Sequence, residues 1–235
     1  MKQVLKISTW ALLMALLALL VVTLPTFGAS NFLGGQSGNI LTPDDVIVPT
    51  GTMDLSYHQI VNFRNSDDLS ATGITYGVTP NLELGASFIS SGDSDVAFNG
   101  KYRLLTETTN RPAMLVGVYD VSGSANAVNG DPGFFLVFSK NITSTASNMV
   151  GEPSKPLRLT AGFGSGPYDG LLVGLDWTLD PRLSLMADYT GGNVGGNDKL
   201  FSAGVRYAAS DAIRIDLAAI DFKDFAFGGD FRFKF

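Results

Sequence analysis

From Met53 to Phe235 the chain repeats one arrangement: an apolar residue, then a polar one, then an apolar one, interrupted at intervals by Gly, Asn, Asp or Pro. Successive side chains on a strand face opposite sides, so a period of two commits the chain to extended structure with one apolar and one polar face. About twelve segments fit this template, and none follows a helical period. The last segment, "DFRFKF", is the sharpest: Phe231, Phe233 and Phe235 share one face, and Asp230, Arg232 and Lys234 share the other.

The same rule assigns faces throughout. In the first segment Met53, Leu55, Tyr57, Val61 and Phe63 oppose Asp54, Ser56, His58 and Asn62. Later Leu82, Leu84, Ala86 and Phe88 oppose Glu83, Gly85 and Ser87, and Ile213, Ile215 and Leu217 oppose Arg214 and Asp216. The stretch "AMLVGV" is apolar on both faces, and Asp120 after it is assigned inward to keep the alternation. The polar face as a whole carries charges of both signs and many glycines, which is poor material for the surface of a soluble sandwich but suits the inside of a barrel.

Composition narrows the choice further. Charged residues are 16% and aromatics 11% of the chain, too apolar for an ordinary soluble surface, while 27 glycines break it too often for membrane helices. With no cysteine, a disulfide-stapled scaffold is excluded. The formal charge of -6 argues against nucleic acid as a partner.

The N-terminal stretch has Lys2 and Lys6 ahead of an apolar run from Ile7 to Leu24, then Pro25 and the small residues Gly28, Ala29 and Ser30. This is the layout of a secretory signal peptide, expected over residues 1–30 with cleavage near Ala29 or Ser30. Residues 31–52 mix Gly, Pro and Asp and read as an irregular lead-in, followed by a membrane barrel over 53–235. Tight turns at "TPN", "LDPR" and "ASDA" alternate with longer loops at "SGSANAVNGDPG" and "TGGNVGGND". Short turns on one rim and long loops on the other are the habit of outer-membrane barrels. The connection from Asn141 to Pro156 is long where this parity demands a short one.

A sheet in lipid must close on itself, because an unpaired edge would leave backbone groups without partners in hydrocarbon. The expectation is therefore an all-β, up-and-down antiparallel transmembrane β-barrel of about twelve strands, within a range of ten to fourteen. An even strand number puts both termini on the periplasmic side of the outer membrane of a two-membrane bacterium. The terminal Phe231, Phe233 and Phe235 face lipid and resemble the C-terminal signature of outer-membrane proteins. That resemblance implies recognition of the end of the chain by the barrel-assembly machinery.

The stretch "GQSGNILTPDDVIVPTGTMDLSYHQ" and the series "YGVTPNLELGASF", "VGVYDVSG", "FFLVFSKN" and "LDPRLSLMADYTG" resemble the YjbH-like outer-membrane β-barrels associated with exopolysaccharide biosynthesis. The resemblance implies a non-enzymatic role in producing or exporting surface polysaccharide, with export components as partners, and brings no catalytic residue and no cofactor. A narrow passive porin for small solutes is the alternative, and an outer-membrane lipid-modifying enzyme the third reading.

Candidate functional residues lie on the polar face. Lys101, Arg103, Arg158, Arg206, Arg214 and Arg232 stand against Asp176, Asp188, Asp216 and Asp230 as lumen charges that pair to fill and rigidify the barrel or line a narrow polar pore. His58 is the sole histidine and sits with Asp54, Ser56 and Asn62. It reads as a lumen residue bonded to its neighbours, since a lipid-hydrolysing site would face the bilayer. Asp93 and Asp95, and the run "GGNVGGND", lack a full calcium ligand set, and "GFGSG" lacks the strand, spacing and helix of a dinucleotide loop.

Overall fold

In the computed structural model, which describes residues 29–63, 67–126, 128, 130–143, 156–192, 194 and 199–235, twelve strands close into one antiparallel barrel. They are β1 (Thr52–Ile60), β2 (Leu69–Thr79), β3 (Leu82–Ser91), β4 (Asp93–Leu105), β5 (Ala113–Tyr119), β6 (Gly133–Asn141), β7 (Leu157–Gly164), β8 (Gly170–Asp180), β9 (Leu183–Thr190), β10 (Leu200–Ala208), β11 (Ile213–Ile220) and β12 (Asp224–Lys234). Each strand pairs with its sequence neighbours, and β1 closes the circle on β12 with Thr52 opposite Lys234 and Ile60 opposite Ala226. The expected fold class and strand number are both present. The expected signal peptide falls on residues 1–28, outside the described residues, except for its last two positions.

The alternation has its physical counterpart in two surfaces. Outside, Leu55, Ile74, Phe88, Phe98, Phe134, Phe163, Leu171, Ile215 and Phe225 stand exposed around the barrel, an apolar belt that lipid would cover. Inside, Asp54, Glu83, Lys101, Asp188, Asp216 and Arg232 are buried. At the end of the chain Phe231 and Phe233 of β12 and Phe235 just past it lie side by side, with Phe231 and Phe233 centroids 5.9 Å apart and Phe233 and Phe235 5.2 Å apart.

Three expectations need correction. β1 ends at Ile60, so Phe63 lies beyond it and is buried, while Asn62 takes a left-handed φ of 49° and is exposed rather than lumenal. Asp120 is buried, but not by strand alternation, which ends at the inward Tyr119. A left-handed φ of 49° turns its carboxylate back to accept from Ser122 Oγ and the Ala125 amide. The rims are also less regular than the parity rule demands. On the rim away from the termini, β3 meets β4 through Gly92 alone, and β11 meets β12 across Asp221, Phe222 and Lys223.

Candidate functional site

The lumen is occupied by the chain's own lead-in. Residues 29–48 are almost wholly buried inside the barrel, with Phe32, Leu33, Ile40, Leu41 and Val48 among them. This plug has no regular secondary structure, yet it folds on itself: the Phe32 amide donates to the Ile40 carbonyl at 2.8 Å, Gly38 to Ala29 at 2.9 Å, and Asn39 to Thr42 at 2.9 Å. Buried backbone groups must find partners, and these internal bonds supply many of them. Gly34 and Gly35 hold consecutive left-handed φ values of 72° and 66°, which glycine adopts without penalty.

Glycine on the wall explains how a second chain fits inside. A Cβ on Gly85 would strike the Gly35 carbonyl, one on Gly73 the Gly35 amide, and one on Gly77 the carbonyls of Val48 and Pro49. The wall of β2 and β3 is therefore bare where the plug backbone lies against it. The inward glycines read from the sequence as barrel lining are, at these three positions, docking surface for the plug.

The lumen charges bind the plug more than they bind each other. Glu83 accepts from the amides of Ser37 and Val48 and from the Ser37 hydroxyl. Asp188 accepts from the amides of Leu41 and Thr42 at 2.6 and 2.9 Å, and Asp230 from the Ser30 amide at 2.9 Å. Lys101 donates to the carbonyls of Ser37 and Asp44 at 2.7 and 3.1 Å, Arg103 to the Asp45 carbonyl at 2.7 Å, and Arg158 to the Asp45 carboxylate at 2.7 Å. Burial raises the Asp45 carboxyl above its usual value, against the opposing pull of Arg158. Aromatic hydroxyls finish the job at the other end, where Tyr119 donates to the Leu33 carbonyl and Gln36 donates to Tyr168. Hydrogen bonds to ionised groups are about twice as strong as neutral ones, so the plug is held by charge-assisted contacts on several strands.

Among the described residues some lumen charges also pair directly, Lys101 with Glu83 at 3.6 Å among them. Arg232 grips Asp54 with both groups fully buried, and Arg206 meets Asp216 at 2.9 Å while reaching the plug carbonyls of Ser30 and Gly38 at 3.2 Å each. Asp176 and Arg214 join none of these pairs: one buried oxygen of Asp176 and both buried terminal nitrogens of Arg214 lack hydrogen-bond partners among the described residues.

His58 lies in the wall against the plug. Its ring packs on Phe32 with centroids 4.5 Å apart, and its Nε2 stands 3.4 Å from Asp216. Among the described residues, His58, Asp216 and Asp230 have donor atoms within 4.8 Å of one another, close enough for a metal ion. Arg206 already neutralises Asp216 and the Ser30 amide takes one oxygen of Asp230, so a dication there would sit against a guanidinium. The hydroxyl of Ser56, on the same face of β1, has no hydrogen-bond partner among the described residues. The Asp93 side chain, Asn193 and residues 195–198 fall outside the described residues, so those calcium readings remain sequence expectations. In "GFGSG", Gly164 to Gly166 lead from β7 into a single turn at Gly166–Tyr168, without the helix a nucleotide loop requires.

The plug is the functional element that sequence reasoning missed. Its signals were the short apolar pairs Phe32-Leu33 and Ile40-Leu41 in a polar lead-in, and glycines on the lumen face of β2 and β3.

No family model matches the chain, and no curated protein does. Solved structures do. The chain is similar to the KdgM porin, at 8% identity with a TM-score of 0.52, covering 78% of this chain and 99% of that one. It is similar to the same porin in complex with disordered oligogalacturonate, at 7% identity and a TM-score of 0.50, with 78% and 99% covered. A third likeness is to the outer membrane protein Omp33 of Acinetobacter baumannii, at 10% identity and a TM-score of 0.49, with 78% and 98% covered.

Proposed function

We propose that this chain is a non-enzymatic outer-membrane β-barrel, closed by its own N-terminal segment, that supports cell-envelope or exopolysaccharide production or export. The observation that carries the reading is the plug: a lumen filled by residues 29–48 and bonded to Glu83, Lys101, Asp188 and Arg206 suits a gated or accessory barrel better than a permanently open pore. The porin fold and the apolar outer belt support residence in the outer membrane. The polysaccharide role rests on the strand and turn sequences that resemble YjbH-like barrels, with export components as partners.

A passive porin is the second reading, favoured by the fold shared with the KdgM porin. Planar bilayers separate the two. A plugged barrel gives rare or no single-channel steps, whereas stable large steps from the full chain would replace the first reading with the second. Deleting the protein and measuring surface polysaccharide tests the role itself, and an unchanged coat would remove it. Lipid modification fares worst, because His58 is fully buried against Phe32 and away from the outer belt.

Phe231, Phe233 and Phe235 serve in this reading as the signal read by the assembly machinery. Changing Phe235→Asp is expected to lower outer-membrane levels and leave protease-sensitive chain in the periplasm. Normal assembly of that variant would remove the recognition role.

A further inference from the structure

The two mouths of the barrel are built from different materials. At the rim away from the termini, the side chains of Ile60, Leu69, Ile89, Leu200 and Ile220 are fully buried. Connections at that rim fold over them: Val128 between β5 and β6, Tyr168 between β7 and β8, and Val194 between β9 and β10 are buried as completely. The plug completes the layer from inside with Phe32 and Leu33, and all these side chains belong to one apolar cluster. Tyr168 ties the loops to the plug. Its ring meets those of Tyr119 and Phe135 edge-on, with centroids 5.9 and 5.2 Å away, and its hydroxyl accepts from the side-chain amides of Asn31, at 3.3 Å, and Gln36.

The rim that carries the termini is not packed in this way. A cavity of about 390 Å³ lies there between the plug and β7 to β11, and another of about 490 Å³ lies beside the turn between β2 and β3; Val46 of the plug and Arg158 line both. The first reaches the surface at the exposed Pro181 and Arg182, the second at the exposed Thr50, Pro80 and Thr106. Water settles in a cavity where it finds polar partners, whereas an ion entering a close-packed apolar layer must give up its hydration. One mouth is therefore a dry seal and the other a wetted vestibule. We propose that the lumen is one-ended: water-soluble molecules reach the plug through the rim that carries the termini, and the surface they meet is the plug segment from Asp45 to Pro49. The direction rests on the outer-membrane reading, in which that rim faces the periplasm. What moves or reads the plug is then a hydrophilic periplasmic partner rather than a solute arriving from outside the cell.

The chain has no cysteine, so a single introduced one reports on its own surroundings. With the full barrel folded in detergent, a small anionic maleimide is expected to modify Val46→Cys about tenfold or more faster than Leu33→Cys, because a buried thiol reacts only on local opening. If Leu33→Cys does not fold, Val128→Cys in the loop layer takes its place with the same slow rate expected. Adding Tyr168→Ala to the sealed position is expected to raise its rate several-fold. Equal rates at Val46→Cys and the sealed position, or a sealed rate unmoved by Tyr168→Ala, would overturn the seal. The direction is read separately in cells, through Thr106→Cys and a polyethylene-glycol maleimide too large for porins. Protection in intact cells and modification after osmotic shock are expected. Modification in intact cells would overturn the periplasmic direction and the orientation it rests on, while the detergent rates still decide the seal.

Discussion

The two halves of the lumen wall treat the plug in opposite ways. On β2 to β4, backbone meets backbone across Gly73, Gly77 and Gly85, and the buried Glu83 and Lys101 bond the same plug residue, Ser37. On β7 to β11 the contact is made by long side chains, and a cavity survives between plug and wall. Glycine admits a neighbouring chain to contact distance, whereas arginine and aspartate hold it off at side-chain length and leave space that water or a ligand can use. One wall is a seat and the other is a chamber.

The largest effect expected from breaking this contrast is on conduction. Deleting residues 31–48 removes the plug from both walls and leaves the twelve strands, so frequent stable steps in planar bilayers should replace a near-silent trace. A silent deletion variant that still shows heat-modifiable migration would mean that the plug does not close the lumen.

Next in size is a comparison of two acids. Glu83→Ala on the seated wall takes the acceptor from the buried amides of Ser37 and Val48 and leaves Lys101 with Asp44 as its remaining acid, and each buried polar group left unsatisfied costs about 1–3 kcal/mol. Asp176→Ala on the chamber wall removes a carboxylate whose buried oxygen has no partner among the described residues, so it should cost under about 1 kcal/mol. Urea midpoints of the detergent-folded variants read both, and equal losses would erase the distinction.

A smaller pair of variants probes the glycines directly. Gly85→Ala puts a methyl group into the plug backbone at Gly35 and should cost about 1–3 kcal/mol as overpacking. Gly174→Ala meets side chains rather than backbone, chiefly the end of Asn39, which can swing aside, with the Thr42 hydroxyl at 3.1 Å, so a loss below about 1 kcal/mol is expected. Reversed magnitudes would show that the chamber wall, not the seat, positions the plug. The smallest effect belongs outside both walls, where Ile215→Val on the outer belt should change the midpoint by less than about 0.5 kcal/mol.

The same contrast explains what the sequence disclosed. Strands announce themselves because each places a greasy face on lipid and a polar one inside, and Phe88 beside Ser87 or Leu217 beside Asp216 is enough to set a register. Residues 29–48 obey no such period, since the plug lies inside the barrel and its bonds run to Glu83, Asp188 and Asp230 far along the chain. The lumen charges could be placed by alternation, but their partners could not, because a carboxylate that binds a backbone amide leaves no complementary side chain to find. Asp120 and Phe63 escaped the pattern for a local reason: both lie past a strand end, where turn geometry rather than pleat decides direction.

The seam between β1 and β12 imposes an order in time. Closing it pairs Thr52 with Lys234, and the terminal Phe235 amide donates to the Gly51 carbonyl, so the barrel cannot shut until its last strand has been delivered. The plug is continuous with β1 and is bonded to β3, β4, β9 and β10, strands that exist before that last one. Bringing two ends of a long chain together is limited by chain entropy, and an extension that touches the nascent sheet at several points shortens the search. On this chain-entropy argument the sheet is expected to curl around its own plug as a cast forms around a core, enclosing it by the act of closure.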